Sequence, residues 1–437
     1  MRKKAGITAL ILCVITLLGG CSLGINDQSL LSPPKITGRE AELENLISQT
    51  ANGSYKLKYP QSGEFRSAII TKDLNSDGKD EAISFYRGSD SDAVNMLVMY
   101  DAGKQWETSK NFELKFSDVD CVKFSDYDFD GTEEIFAGLK NSNENICELN
   151  VFDYTPSDHQ SEHIDFDAAY SAFSVGDYDR DGGSEVLTFN LDSSENDASA
   201  TLYDYDKNKP YALDNCDMDQ KVIRYENIVS GLINKDTVGV AVDGLTDDGY
   251  NSQIIYYNTS KRALLNYPVT AGKGRSTTHS DKVYSADIDQ DGYIEIPIIN
   301  ESSAKSGSES ETVAPVINWS GLNTKNNKLT TKVKCVTNFE FGYYFKLPES
   351  FSDTTITTLS DDKRTMKIYS KKSGSADKLI VTFRVFDVGA NTDDMNGYST
   401  LESYNQYTYT YKIENDPPIS ITGEKIKENF ALNDSSV

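Results

Sequence analysis

The chain has 437 residues, 38% hydrophobic and 11% aromatic, enough apolar material for the cores of two or three domains. Its 68 acidic residues against 43 basic ones give a formal charge of −25. That charge excludes nucleic acid and anionic lipid as electrostatically favoured partners and points towards bound cations.

At the N-terminus Arg2, Lys3 and Lys4 precede an apolar run from Ala9 to Leu18 that is too short for a stable membrane span. Residues 1–20 therefore read as a signal peptide. The run ends in Leu18-Gly19-Gly20-Cys21, which looks like a bacterial lipobox: small residues admit the signal peptidase, and the thiol accepts diacylglycerol. Cleavage before Cys21 predicts an extracytoplasmic protein held on the cell membrane by a diacylglyceryl cysteine, whose two acyl chains suffice for stable anchoring. Losing Arg2, Lys3 and Lys4 takes the formal charge from −25 to −28. Cys13 leaves with the signal, so Cys121, Cys147, Cys216 and Cys335 remain, open to three disulfide pairings. The three histidines, His159, His163 and His279, are too scattered for a histidine metal centre and read as solvated surface residues.

Residues 21–53 read as a tether with one short helix, Thr37 and Glu40 forming a capping box ahead of Leu43, Leu46 and Ile47. Short alternating strands follow, and with them a repeat. Four segments share one form: Asp73-Leu-Asn-Ser-Asp-Gly-Lys-Asp-Glu81, Asp126-Tyr-Asp-Phe-Asp-Gly-Thr-Glu-Glu134, Asp177-Tyr-Asp-Arg-Asp-Gly-Gly-Ser-Glu185 and Asp287-Ile-Asp-Gln-Asp-Gly-Tyr-Ile-Glu295. Their starts are 53, 51 and 110 residues apart, so a fifth, degenerate copy is expected near residue 232. There Ile228 to Asp236 leads into Val238, Val240 and Val242, with the acidic residues and the glycine lost. An apolar residue stands four positions before each loop (Ile69, Val122, Phe173, Ile228, Val283) and another after its ninth position (Ala82, Ile135, Val186, Ala241, Ile296). Each loop thus joins two strands that bury a face.

The spacing carries the chemistry. Calcium takes six to eight oxygen ligands, and a tight turn can aim positions 1, 3 and 5 inward while a glycine at 6 adopts angles other residues resist. An EF-hand closes with glutamate at position 12, but those positions hold Ser84, Ala137, Thr188 and Ile298. Here the acid comes at position 9, already in the next strand. The predicted ligands are Asp73, Asn75, Asp77, Glu81 and the Lys79 carbonyl; Asp126, Asp128, Asp130, Glu134 and the Thr132 carbonyl; Asp177, Asp179, Asp181, Glu185 and the Gly183 carbonyl; and Asp287, Asp289, Asp291, Glu295 and the Tyr293 carbonyl. Four structural calcium ions clamping β-hairpins are expected, the first weaker by one charge at Asn75.

This repeated hairpin resembles the FG-GAP or VCBS-type repeat of integrin-α-like β-propellers over about residues 55 to 337. More narrowly it is similar to propeller lipoproteins of Firmicutes, on Glu-Ala-Ile-Ser-Phe-Tyr after the first loop and Asp287 to Pro297 at the last. The resemblance implies an all-β, calcium-binding propeller of four-stranded blades over residues 54–337, and brings no enzymatic activity with it. Five or six blades are favoured, with seven reached if the last hundred residues supply two.

Further strands are expected at Met96 to Tyr100, Ile146 to Tyr154, Thr201 to Tyr205, Gln253 to Tyr257 and Val313 to Trp319, with Tyr55 to Tyr59 completing the last blade. Residues 338–437 read as a separate small α+β domain: strands at Phe341 to Leu347, Met366 to Tyr369, Leu379 to Phe386 and Tyr404 to Ile413, then a short helix from Ile421 to Phe430. Tyr407, Tyr409 and Tyr411 alternate as exposed residues of an edge strand, with sugar stacking as the second reading. No Ser-His-Asp order or Cys-His pair suggests catalysis, and no catalytic residue is named. The expected role is a non-catalytic surface binding or scaffold protein for an unknown protein or glycan, with no nucleic-acid partner. The alternative is a polysaccharide hydrolase or lyase on a propeller scaffold, and the strand-dominated repeats argue against a two-lobed solute-binding protein.

Overall fold

The computed structural model describes residues 38–142, 146–192, 197–206, 209–269, 272–273, 276–299, 311–351, 355–371, 376–391 and 393–432. The signal peptide, Cys21 and Thr37 lie outside them. None of the described helices is long and apolar enough to cross a membrane.

The first element is α1 (Arg39–Ala51), whose N-cap is Gly38 at φ 71°, with no side-chain cap bond. Glycine takes that left-handed backbone freely, and it replaces the cap expected at Thr37. Leu43 and Ile47, one turn apart, are buried on the first sheet.

The chain then folds as successive antiparallel sheets. The first holds β1 (Tyr55–Lys58), β2 (Ile69–Lys72), β3 (Glu81–Gly88), β4 (Asn95–Asp101) and β5 (Trp106–Glu113). The second runs β6 (Asp118–Ser125), β7 (Glu134–Lys140), β8 (Cys147–Thr155), β9 (Gln160–Tyr170) in order, and the third β10 (Ala172–Gly176), β11 (Glu185–Asp192), β12 (Asp197–Asp206), β13 (Lys209–Asp217). The fourth is β14 (Val222–Asn234), β15 (Thr237–Thr246), β16 (Gly249–Asn258) and β17 (Ala263–Tyr267), with β18 (Thr278–His279) added to β16.

These sheets stack face to face in chain order, so their central strands are buried on both sides and read as continuous apolar runs. In β3, Ala82 and Tyr86 pack towards α1 while Ile83 and Phe85 join Ile135, Ala137 and Phe152 of the second sheet. Phe136 turns the other way, to Phe173 and Val186 of the third. Leu187 and Phe189 meet Val240, Val242 and Ile255 of the fourth, whose Ala241 and Ile254 meet Ile296 and Leu322 of the fifth. Each fully buried side chain of this kind contributes ~1.5–3 kcal/mol, so the stack is held mainly by apolar burial.

The remaining elements are β19 (Ile296–Ile299), β20 (Glu311–Val313), β21 (Val316–Asn323), β22 (Lys328–Asn338), β23 (Tyr343–Lys346), β24 (Thr355–Ser360), β25 (Thr365–Ser370), β26 (Lys378–Asp387), β27 (Ser399–Tyr404), β28 (Tyr407–Ile413), α2 (Gly423–Asn429) and β29 (Phe430–Leu432). The fifth sheet is ordered β19-β21-β22-β23-β29 and the sixth β20-β24-β25-β26-β28-β27. Two expectations change here. Val313 to Trp319 is not one strand: Pro315 interrupts it, having no N–H for a ladder, and β20 pairs into the sixth sheet while β21 stays in the fifth. The boundary at 337/338 falls inside a hairpin, because β22 continues through Asn338 and pairs with β23 (Asn338↔Tyr343), which in turn pairs with β29.

Two more corrections concern strand partners. Tyr55 to Lys58 does not join the last repeat but pairs with β3 (Leu57↔Tyr86). The four-residue β2 satisfies only the Glu81 to Ser84 half of β3, leaving the backbone of Phe85 to Gly88 for β1. Tyr404 to Ile413 folds as a hairpin turning at Asn405 (φ 53°), and β28 lies between β26 and β27 rather than at an edge. Tyr409 and Tyr411 are therefore 4% and 8% exposed, part of the core with Ile426 of α2, which removes the sugar-stacking face. The helix α2 begins as expected, with Thr422 Oγ1 accepting from the Lys425 N–H at 3.2 Å.

Candidate metal centres in the repeated loops

The four acidic loops share one backbone. Position 4 (Ser76, Phe129, Arg180, Gln290) lies in the left-handed region at φ 57–65°, and the glycine at position 6 (Gly78, Gly131, Gly182, Gly292) at φ 86–105°. Local hydrogen bonds impose this turn. The side chain at position 3 accepts from the N–H of position 5 in every loop, at 3.0 Å for Asn75, 3.2 Å for Asp128, 3.0 Å for Asp179 and 3.3 Å for Asp289. The carboxylate at position 5 accepts from the N–H of position 7, at 2.8 Å from Lys79, 2.7 Å from Thr132, 2.9 Å from Gly183 and 2.9 Å from Tyr293. Asp73, Asp126 and Asp287 accept from the glycine N–H at 2.9, 3.1 and 2.9 Å.

The glutamate at position 9 enters from the strand. Glu134, Glu185 and Glu295 are 0% exposed and Glu81 3%. In each, Oε2 accepts from the N–H of position 2, at 3.0 Å from Leu74, 2.5 Å from Tyr127, 2.7 Å from Tyr178 and 3.3 Å from Ile288. The other oxygen, Oε1, is buried without a partner in Glu134, Glu185 and Glu295, as is Oδ1 of Asp126 and Asp177. Buried carboxylate oxygens left unpaired are costly, and a cation bound by oxygen ligands is the partner these positions fit. Burial, with neighbouring carboxylates adding to it, raises Glu134 to about 9, Glu185 to about 8 and Glu295 to about 7. Asp128 is pushed up to about 6 by burial and by Asp130.

The third loop gathers all four of its acids, Asp177, Asp179, Asp181 and Glu185, with ligand oxygens within 4.8 Å of one another. The second gathers Asp126, Asp128 and Glu134 but not Asp130, and the last gathers Asp287, Asp289 and Asp291 but not Glu295. No such group forms at Asp73, Asp77 and Glu81 among the described residues, where the third position is the neutral Asn75. The fourth repeat has no loop at all: β14 and β15 close around Lys235 and Asp236, with Asn234 paired to Thr237. A cleft of about 410 Å³ opens beside this shortened turn, lined by Lys235, Tyr293, Glu295, Lys325 and Lys332.

The loops lie next to one another. The N–H of position 8 reaches back to a carbonyl of the preceding repeat, at the start of its loop for Glu133 to Leu74 at 2.8 Å and Ser184 to Asp126 at 3.1 Å, and on β14 for Ile294 to Leu232 at 2.8 Å. Lys72 and Glu133 add an ion pair between the first two loops at 2.7 Å. Any ion fixing one loop therefore also fixes the register of two sheets.

Three features escape a reading of the repeat alone. His279 is 5% exposed, not solvated, with Nδ1 2.7 Å from the Asp281 carbonyl, because β18 docks on β16. Cys121, Cys147, Cys216 and Cys335 are all free thiols, and burial pushes Cys121, Cys216 and Cys335 up to about 12. Asp153 stands beside the second loop; Phe152-Asp153-Tyr154 and Tyr203-Asp204-Tyr205 each place an aspartate 27 residues after a loop start.

The chain matches no family model and no curated protein sequence. Among solved structures it is similar to Sqt1 of Saccharomyces cerevisiae, at 10% identity over 82% of this chain and 95% of that one, with a TM-score of 0.31. Sqt1 of Chaetomium thermophilum is similar at 9% identity over 78% and 92%, with a TM-score of 0.32. An exotype rhamnogalacturonan lyase, YesX, is similar at 14% identity over 70% and 62%, with a TM-score of 0.26.

Proposed function

We propose that this chain is a lipid-anchored, extracytoplasmic β-propeller of the FG-GAP/VCBS type, a non-catalytic binding or scaffold protein for a surface protein or glycan. Its first five sheets serve as blades, and structural calcium ions occupy the repeated loops. The anchoring part rests on the lipobox at Leu18 to Cys21. Face-to-face stacking of sheets in chain order supports the propeller. One observation carries the calcium: in the second and third loops an unpaired, fully buried glutamate oxygen converges with aspartates of the same loop. An ion held by these loop oxygens would fix the geometry of the hairpins, which supports a structural role.

The test is thermal melting of the full chain in detergent, in calcium and in EGTA. Extracellular sites of this class bind at ~10⁻⁴–10⁻³ M, and a site at a hundred times its Kd stabilises by about 2.7 kcal/mol. With two or more sites filled, calcium should raise the melting temperature by several degrees. Equal melts in calcium and EGTA would remove the calcium assignment. Crosslinking on intact cells tests the binding role: a defined surface partner captured with calcium and lost in EGTA is the expected result.

A further inference from the structure

Beyond the repeat itself, the second loop has a neighbouring aspartate with an unpaired buried oxygen, Asp153. Strands β7 and β8 pair antiparallel with Ile135 opposite Phe152, so one step along Glu134 faces Asp153 on the same side of the sheet. Asp153 Oδ2 accepts from Thr155 Oγ1 at 3.2 Å, while its Oδ1 is buried with no partner, as are Glu134 Oε1 on the facing strand and Asp126 Oδ1 in the loop. Like charges directly opposite across a strand pair are destabilising, and burial sharpens the effect. Three unpaired oxygens on two strands and one loop therefore form an arrangement that a bound cation would relieve.

The equivalent positions elsewhere differ. In the first loop the residue opposite Glu81 is Tyr100. In the last, Ile296 pairs with Ser320, so the next position along is Gly321. In the third, Val186 pairs with Tyr203, which brings Asp204 next to Glu185, but both Asp204 oxygens are engaged, Oδ2 by Tyr211 Oη at 2.5 Å and Oδ1 by the Tyr205 N–H at 2.6 Å.

Resting on the calcium reading above, we propose that Asp153 supplies one carboxylate from outside the loop to the cation of the second loop and makes it the tightest of the four sites. The ion then ties the loop to the third strand of its sheet as well as to the second.

Calcium titration calorimetry of the full chain in detergent, comparing wild type, Asp153→Asn and Asp204→Asn, tests this. Removing a supporting ligand typically lowers metal affinity 10–100-fold. Asp153→Asn should therefore weaken the tightest site about tenfold or more and leave the number of sites unchanged, while Asp204→Asn leaves that site as it is. Melting gives a second readout with a sign that packing alone does not produce: Asp153→Asn should melt higher than wild type in EGTA and lower in calcium. Wild-type chain that takes up no calcium would remove the underlying reading. Wild-type binding with an unchanged tightest site in Asp153→Asn, or a variant melting lower in both conditions, would overturn the role of Asp153 alone.

Discussion

In EGTA the melting temperature should fall as pH rises from about 5 to about 9, and saturating calcium should abolish that fall. Burial, followed by neighbouring carboxylates, raises Glu134 to about 9, Glu185 to about 8 and Glu295 to about 7 in the folded chain, against an ordinary 4.5. A carboxyl raised on folding favours the folded state through its protonated form. That stabilisation is complete below the unfolded value and is lost progressively as pH climbs from there through each folded value, the loss ending at about 7 for Glu295, about 8 for Glu185 and about 9 for Glu134. Calcium reverses the sign, because its ligands must be ionised, so its affinity grows over the same range. The gap between the calcium and EGTA melts should widen steadily towards alkaline pH, by several degrees at least. Melting curves of the full chain at unit steps of pH would check this, and parallel curves in the two conditions would mean that these glutamates do not hold the ion.

The loops were legible in the sequence because local spacing alone determines them. The side-chain oxygens at positions 3 and 5 accept from the N–H groups two residues on, and Gly78, Gly131, Gly182 and Gly292 hold the positive φ that closes the turn. Most strands were legible for a similar reason, since apolar and β-branched runs between such turns have few alternatives. What failed depended on partners far along the chain. The place of Tyr55 to Lys58 follows from the shortness of β2, and the burial of Tyr409 and Tyr411 from β27 lying outside β28. Asp153 is informative only once the register puts it opposite Glu134. The split at Pro315 was open to a local reading, the missing N–H being a property of the residue itself.

The fourth repeat raises the question of how a sheet that has lost its loop stays docked on the next, and Asp243 supplies the answer. This aspartate of β15 is 0% exposed and accepts four hydrogen bonds. Ser252 Oγ and Ser285 Oγ donate to Oδ1 at 2.5 and 2.7 Å, and the Ser285 N–H and Asn227 Nδ2 to Oδ2 at 2.7 and 2.9 Å. Ser285 lies just ahead of the last acidic loop, so one carboxylate of β15 joins β14 and β16 to the segment that leads into that loop. Burial nonetheless raises its pKa, the four donors only partly offsetting the lost hydration. Asp243→Ala would leave those donors buried and unpaired, and breaking a buried network of this kind costs about 3–5 kcal/mol. Asp243→Asn keeps the size but sets an amide N–H₂ against donors, so it should fall between wild type and alanine. The loss should be the same in calcium and EGTA, because no acidic loop is involved, and denaturant unfolding in both conditions would measure it. A loss that appears only in calcium would instead place Asp243 in the ion's support and would remove the view that hydrogen bonds have taken over here from a metal.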